Sequence, residues 1–358
     1  MKSLLKKIIF LVGVLVVITI LGCVCLYNYY TSPVDKNNSE NLRLEVNKND
    51  TFYSIGDKLT SLGLIRNSFI YKIQIKLKKP NNLQAGVFNL NKAMNLDEII
   101  DTLNSGSKIN GTLINITIKE GLNIRKLAKL IDEKTENTYD DVLNKVGDKT
   151  YLNTLISKYW FLNEDILNTS IYYPLEGYLF PDTYQISTKF SVEEIFKVLL
   201  DQTDKVLSKY KDQINNSKFS IHQIMTLASI IELEAGNAND RSGVAGVFVN
   251  RINARMALGS DVTTYYALKI DDFSHSLTKS ELNTCNNGYN TRCSSKLGLP
   301  VGPICLPGEE SIKAAINPTS HSYYYFVADK TGKTYLTSNY TEHNRIINEL
   351  KNKGLWQA

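Results

Sequence analysis

From Ile8 through Leu26 the chain reads IIFLVGVLVVITILGCVCL, nineteen residues without a charge, and the next charged residue after Lys7 is Asp35. Few folds accept such a run. At ~1.5 Å rise per residue a helix of this length covers roughly 28 Å, close to the hydrocarbon thickness of a bilayer, and it satisfies its own backbone hydrogen bonds there. Lys2, Lys6 and Lys7 precede the run, no basic residue follows it closely, and Tyr29 and Tyr30 stand where interfacial anchors belong. The expected layout is a cytoplasmic tail over 1–7, a retained single-pass transmembrane helix over 8–30, a polar linker over 31–41 and an exported remainder. Two other readings use the same residues. A cleaved signal peptide needs a small-x-small exit, which the run lacks. A lipoprotein signal would use Gly22-Cys23, but Leu21 is a poor neighbour for it and the apolar run continues past the cysteine.

Three of the formal +5 charges are the lysines ahead of that run, so the exported part is close to neutral and nucleic acid is not an expected partner. The full chain is 43% hydrophobic, which suffices for one large core or several smaller ones. The 21 tyrosines and Trp160 offer surface for stacking on sugar faces, and equally material for cores. Outside the apolar run lie only Cys285, Cys293 and Cys305. The first two enclose NNGYNTR, a loop of turn formers that a disulfide could close, and three free thiols fit the sequence equally well. His222, His275, His321 and His343 form no short ligand spacing with these cysteines, so neither a metal nor a cofactor is called for.

The exported part reads as α+β, with short strand-helix modules before a mixed domain. LRLEV at 42–46 alternates as a strand, and Phe52, Ile55, Leu59 and Leu62 follow at helical spacing after Asp50 or Thr51 as cap. NSFIYKIQIKL reads as a second helix, NLQAGVFNL as a returning strand, and MNLDEIIDTLNSG as a helix over Leu96–Leu103 closed by Ser105-Gly106. INITIKEGLNIRKLAKLI at 114–131 repeats the outline, with Glu120 at the place of Asp50. The modules are therefore placed at 42–110 and 111–190. PLEGYLFPDTYQI, 174–186, serves the second as a bridging aromatic strand with Asp182 and Thr183 in a turn. The main domain is placed at 191–350, with a tail over 351–358.

In SIHQIMTLASIIELEA the residues Ile224, Leu227, Ala228 and Ile231 form one stripe of a helix over Ser220–Ala235. Glu232 and Glu234 project about 200° apart on it, so they do not act as one facing pair. Ile230 and Ile231 shadow Glu234, whereas Ala228 and Ser229 precede Glu232, which is expected to be the more exposed. Desolvation and the helix C-terminus both push the carboxyl of Glu234 upward, toward a proton donor at neutral pH. A glutamate at a helix end is commonly structural, so this geometry nominates Glu234 without deciding for it.

ASIIELEAGNANDRSGVAGVFVNRINARMALGSDVTTYYAL, followed by YNTR, GLPVGPICLPG, SIKAAINP and YYYFVADKTGKTYLTSNYTEHN, with EGYLFPDTY and the apolar run before it, resembles the YceG-like endolytic murein transglycosylase family over nearly the whole chain. The resemblance implies that the second glutamate of the Glu-x-Glu signature, here Glu234, is the catalytic acid. It places Asp261, Thr263, Tyr266, Tyr289, Asn290 and Thr291 in a substrate groove, and a LysM-like portion, matching the modules above, before the catalytic region. The implied activity is cleavage between N-acetylmuramic acid and N-acetylglucosamine inside peptidoglycan glycan strands. It leaves 1,6-anhydromuramoyl ends outside the bacterial cell membrane, with peptidoglycan synthases as partners in trimming or terminating nascent strands. The chain departs from the pattern at Cys305-Leu306, where a small polar pair is usual. The residues also allow plainer roles: Asp261 as a helix cap, Tyr266 as core, Asn290 in a turn, and Arg251 paired with a core carboxylate. A noncatalytic peptidoglycan-binding scaffold stays open. So does a hydrolytic muramidase, which would need Asp261 as its second carboxylate.

Overall fold

The computed structural model describes residues 2–106 and 112–356, with side chains from Leu11 onward. The side chains of the basic lead at Lys2, Lys6 and Lys7, the division between residues 110 and 111, and the last two residues of the tail lie outside the described set. The chain forms two compact units, Met1–Gly111 and Thr112–Ala358.

The first unit begins with one uninterrupted helix, α1 (Lys2–Thr31). Over Leu11–Thr31 it is long and apolar enough to cross a membrane, and none of that span is buried in protein. Its last turn is tied down by polar contacts. Arg66 donates to the carbonyls of Ser32 and Pro33 at 2.6 Å each, and its guanidinium lies 4.8 Å from the centre of the Tyr29 ring. After it come β1 (Leu42–Val46), α2 (Gly56–Ser61), α3 (Ser68–Lys78), β2 (Gly86–Leu90) and α4 (Leu96–Ser105). The strands pair antiparallel, from Leu42 opposite Leu90 to Val46 opposite Gly86. Alternation along β1 buries Leu44 and Val46 with Ile55, Leu59, Tyr71, Phe88 and Ile99. Asn95 and Glu98 form a capping box that starts α4, and Gly106 at φ 66° ends it, as glycine there permits.

The second unit opens with another antiparallel strand pair. β3 (Leu113–Thr117) pairs antiparallel with β4 (Thr183–Ser187), and α5 (Ile124–Lys134), α6 (Tyr139–Gly147) and α7 (Lys149–Lys158) lie between them in sequence. The aromatic bridging segment is a strand only from Thr183 onward. Pro181 has no N–H for a ladder, and Leu175, Tyr178 and Leu179 are buried in turns before it. Gly177 takes φ +84°, and a Cβ there would stand 2.5 Å from Pro303. The unit continues through α8 (Val192–Ser208), α9 (Lys211–Asn215), α10 (Ile221–Glu234), α11 (Arg241–Asn253), α12 (Asp261–Ala267), α13 (Lys279–Leu282) and α14 (Glu309–Ile316). The hairpin β5 (Tyr325–Ala328) and β6 (Thr334–Thr337) precedes α15 (Tyr340–Asn352). α10 is the centre of this unit. Every residue from Ile224 to Ile231 is buried, against α11 and α14 among others.

Cys285 and Cys293 are joined by a disulfide, and Cys305 is free and buried, its thiol donating to the Ser229 carbonyl at 3.2 Å. Of the two readings left open by the sequence, the closed loop is the one found. Alkylation of denatured, unreduced protein is expected to mark Cys23, Cys25 and Cys305 only. Label on Cys285 or Cys293 before reduction would refute the bond. Opening so short a loop should remove about 2–3 kcal/mol of stability.

Candidate active site

α10 terminates at Glu234, with Ala235 extended as its C-cap and Gly236 beyond. The carboxyl therefore stands where the helix stops and the chain opens onto a cavity of about 210 Å³. α11 contributes Phe248 and Arg251 to the walls, the turn into α12 contributes Leu258, Gly259, Ser260 and Asp261, and Phe326 and His343 complete them. The Ser260 hydroxyl donates to Glu234 Oε1 at 2.6 Å. Burial holds the Glu234 carboxyl above its usual range and nearby Asp261 adds to the effect, while the Ser260 hydrogen bond and the charges of Arg251 and Arg292 oppose it.

Of the six residues placed in the groove by resemblance, Asp261 alone lines this cavity. It begins α12 and is held by Arg292 Nη1 at 2.5 Å. Ser260 occupies the N-cap, and its hydroxyl is spent on Glu234 rather than on the helix. The other five are buried, with their polar atoms engaged. Thr291 Oγ1 accepts from the Ser260 N–H at 3.1 Å and lies 2.8 Å from Thr263 Oγ1, which donates to the Ser260 carbonyl at 2.7 Å. Asn290 accepts from the Thr264 hydroxyl at 3.0 Å and donates to the carbonyls of Leu282 and Thr284. Tyr266 and Tyr289 have ring centres 4.7 Å apart, and the Tyr289 oxygen accepts from the Tyr172 N–H. These residues brace Ser260 and α12.

Glu232 differs from expectation. Its side chain is only 5% exposed: Arg241 donates to Oε1 at 3.0 Å, and the Gly308 N–H donates to Oε2 at 2.9 Å. A Cβ at Gly308 would meet Glu120 Oε1, the end of a half-exposed side chain that can swing aside. Arg251 also departs from its expected role. Its guanidinium donates to the carbonyls of Tyr324 and Leu258 at 2.6 Å each, not to a carboxylate.

Ser260, Arg292 and Glu176 are not among the residues nominated from the sequence, and His343 is named there only for its lack of metal-ligand spacing. Glu176 carried a signal, as the carboxylate of the otherwise apolar EGYLF. It is fully buried, both oxygens accept from the Ile124 N–H that opens α5, and Tyr266 Oη donates to Oε2 at 2.8 Å. Burial pushes its carboxyl up to about 8, against the hydrogen bonds from Ile124 and Tyr266 and the charge of Arg125. The folded chain thus holds this proton more tightly than the unfolded chain, whose value is the ordinary 4.5. That contribution to stability is fully present below 4.5 and lost as pH rises through about 8. Urea unfolding of Glu176→Gln across this window should show a flatter decline than the parent, and an unchanged slope would refute the assignment.

A family model described as the YceG-like family matches residues 44–349. The chain is 32% identical over 315 residues to the endolytic murein transglycosylase of Bacillus subtilis (strain 168), covering 87% of this chain and 86% of that protein. It is 31% identical over 334 residues to the endolytic murein transglycosylase of Streptococcus pneumoniae serotype 2 (strain D39 / NCTC 7466), covering 90% of this chain and 61% of that protein. Among solved structures, a yceG-like protein from Listeria monocytogenes superposes with a TM-score of 0.61 at 34% identity, covering 86% of this chain and 99% of that one.

Proposed function

The chain belongs to the YceG-like family, and from that premise we propose that it is an endolytic murein transglycosylase with Glu234 as its acid and base. The observation that carries this reading is the Glu234 carboxyl itself, raised by burial at the edge of a polar cavity. Among the described residues only Ser260 hydrogen-bonds that carboxyl, on Oε1, which leaves Oε2 to meet the glycosidic oxygen.

Protonated Glu234 donates to the oxygen leaving the muramoyl C1 as that C–O bond breaks. The resulting carboxylate takes the proton of the muramoyl C6 hydroxyl while that oxygen bonds C1. A 1,6-anhydromuramoyl end forms, Glu234 is protonated again, and no water is consumed. The nucleophile belongs to the same sugar, so proximity supplies what a bound water supplies in a hydrolase. A muramidase would use Asp261 as second carboxylate, but Arg292 holds that group at 2.5 Å, which favours a sugar contact over a base. Thr263, Tyr266, Tyr289, Asn290 and Thr291 then act from behind, by holding Ser260 and Asp261 in register. A noncatalytic scaffold has no use for a half-buried acid with a raised carboxyl at a cavity.

Full-length protein in detergent, incubated with purified glycan strands, should release fragments one water lighter than hydrolytic products. Hydrated reducing ends would overturn the mechanism, and intact strands would overturn the activity.

The first unit, two antiparallel strands with two helices between them, is read as a LysM-like glycan-binding module, and peptidoglycan synthases as partners in terminating nascent strands. Lys2, Lys6 and Lys7, ahead of the apolar run, favour a cytoplasmic N terminus and an exported second unit. After wall removal, a nonpermeant protease should degrade a C-terminal tag and spare an N-terminal one; a protected C-terminal tag reverses the orientation.

A further inference from the structure

His343 lines the cavity with Glu234 and has no task in the proposed mechanism. It stands in the second turn of α15. Among the described residues nothing hydrogen-bonds its imidazole, and Nδ1 is buried without a partner. Buried donors are left orphaned more rarely than buried acceptors, so the ring proton belongs on Nε2, which makes that nitrogen a donor. Burial and the charge of Arg251 hold the imidazole below its ordinary pKa, so at neutral pH it is an uncharged hydrogen-bonding ring.

One turn earlier on the same helix face, Tyr340 is 63% exposed, although it packs in an aromatic cluster. Ring centres lie 5.9 Å apart for Tyr325 and Tyr340, 5.4 Å for Tyr325 and His343, and 6.3 Å for Tyr340 and His343. An exposed aromatic face beside a neutral donor suits a ligand that is apolar on one side and carries acceptor oxygens on its rim. A pyranose bearing hydroxyl and acetamido groups has that chemistry. An anion is a poorer match, because Arg251 spends Nε and Nη1 on the carbonyls of Tyr324 and Leu258.

We propose that the start of α15 forms a sugar subsite beside Glu234, in which Tyr340 stacks on the face of an N-acetylated hexose and His343 donates to one of its oxygens. This rests on the reading of Glu234 as the acid. The test uses the full chain in detergent, carrying Glu234→Gln so that ligand survives, and measures affinity for the unsubstituted tetrasaccharide of the glycan repeat. Tyr340→Ala and His343→Phe should each weaken binding at least about fivefold, and Tyr340→Phe, which keeps the ring, should stay within about twofold of the parent. His343→Phe keeps an aromatic ring but enlarges it as it removes the nitrogens, so thermal unfolding measured beside affinity separates lost packing from a lost donor. If it fails to fold, the exposed Tyr340 pair decides. Affinity unchanged by Tyr340→Ala overturns the subsite even when Glu234→Gln is inactive, whereas full turnover by Glu234→Gln overturns the acid assignment instead.

Discussion

Glu234→Gln is expected to keep the fold and to lower the release of anhydromuramoyl ends by at least about 10², the lower scale of acid-base contributions. The amide has the volume of the carboxyl and can still accept the 2.6 Å hydrogen bond from Ser260, so the wall of the cavity stays in place. It can neither give a proton to the leaving oxygen nor later take one from the C6 hydroxyl. Both halves of the cycle fail together. Circular dichroism and thermal unfolding should match the parent, which separates lost chemistry from lost structure. Near-normal release of anhydro ends by the folded variant would remove Glu234 from the mechanism.

Glu232→Ala is expected to do the reverse and damage the fold. The alanine leaves Arg241, 13% exposed, without its 3.0 Å partner and the Gly308 N–H without an acceptor. Breaking one side of a buried ion pair costs about 3 kcal/mol or more, because the remaining charge stays out of water. Glu120 tempers the loss. Its Oε2 lies 3.7 Å from Arg241, and its carboxyl is held above the usual range by burial and by Glu232, so removing Glu232 favours its ionisation beside the arginine. The unfolding midpoint of the second unit should fall by roughly 6–12 °C. A variant with unchanged midpoint and lost activity would transfer the catalytic role to Glu232. The two glutamates of one signature thus answer to different measurements, turnover for one and stability for the other.

The elements that follow a period were legible in the sequence. The uncharged run before Leu26 is a continuous helix, LRLEV is a strand over the same five residues, and the stripe of Ile224, Leu227, Ala228 and Ile231 lies on a buried α10. The raised carboxyl of Glu234 was legible for a related reason: helix geometry alone sets its i−3 and i−4 neighbours and its place at the C-terminus. What escaped that reading depends on residues far away in the chain. Glu232 is buried because Arg241 and Gly308 close over it, the second of them 76 positions on. Ser260 reaches Glu234 across 26 positions. Tyr266, read as groove by resemblance, turns inward to Glu176 across 90 positions.

The sequence by itself therefore determined the strongly periodic elements, among them β1, α4 and α10, where the apolar span lies and which glutamate ends the central helix, because those follow from the spacing of neighbours along one element. Only the tertiary structure decided which polar groups open onto the cavity and which are spent holding it, since a hydrogen-bond partner is chosen by proximity in space and the sequence does not record that distance.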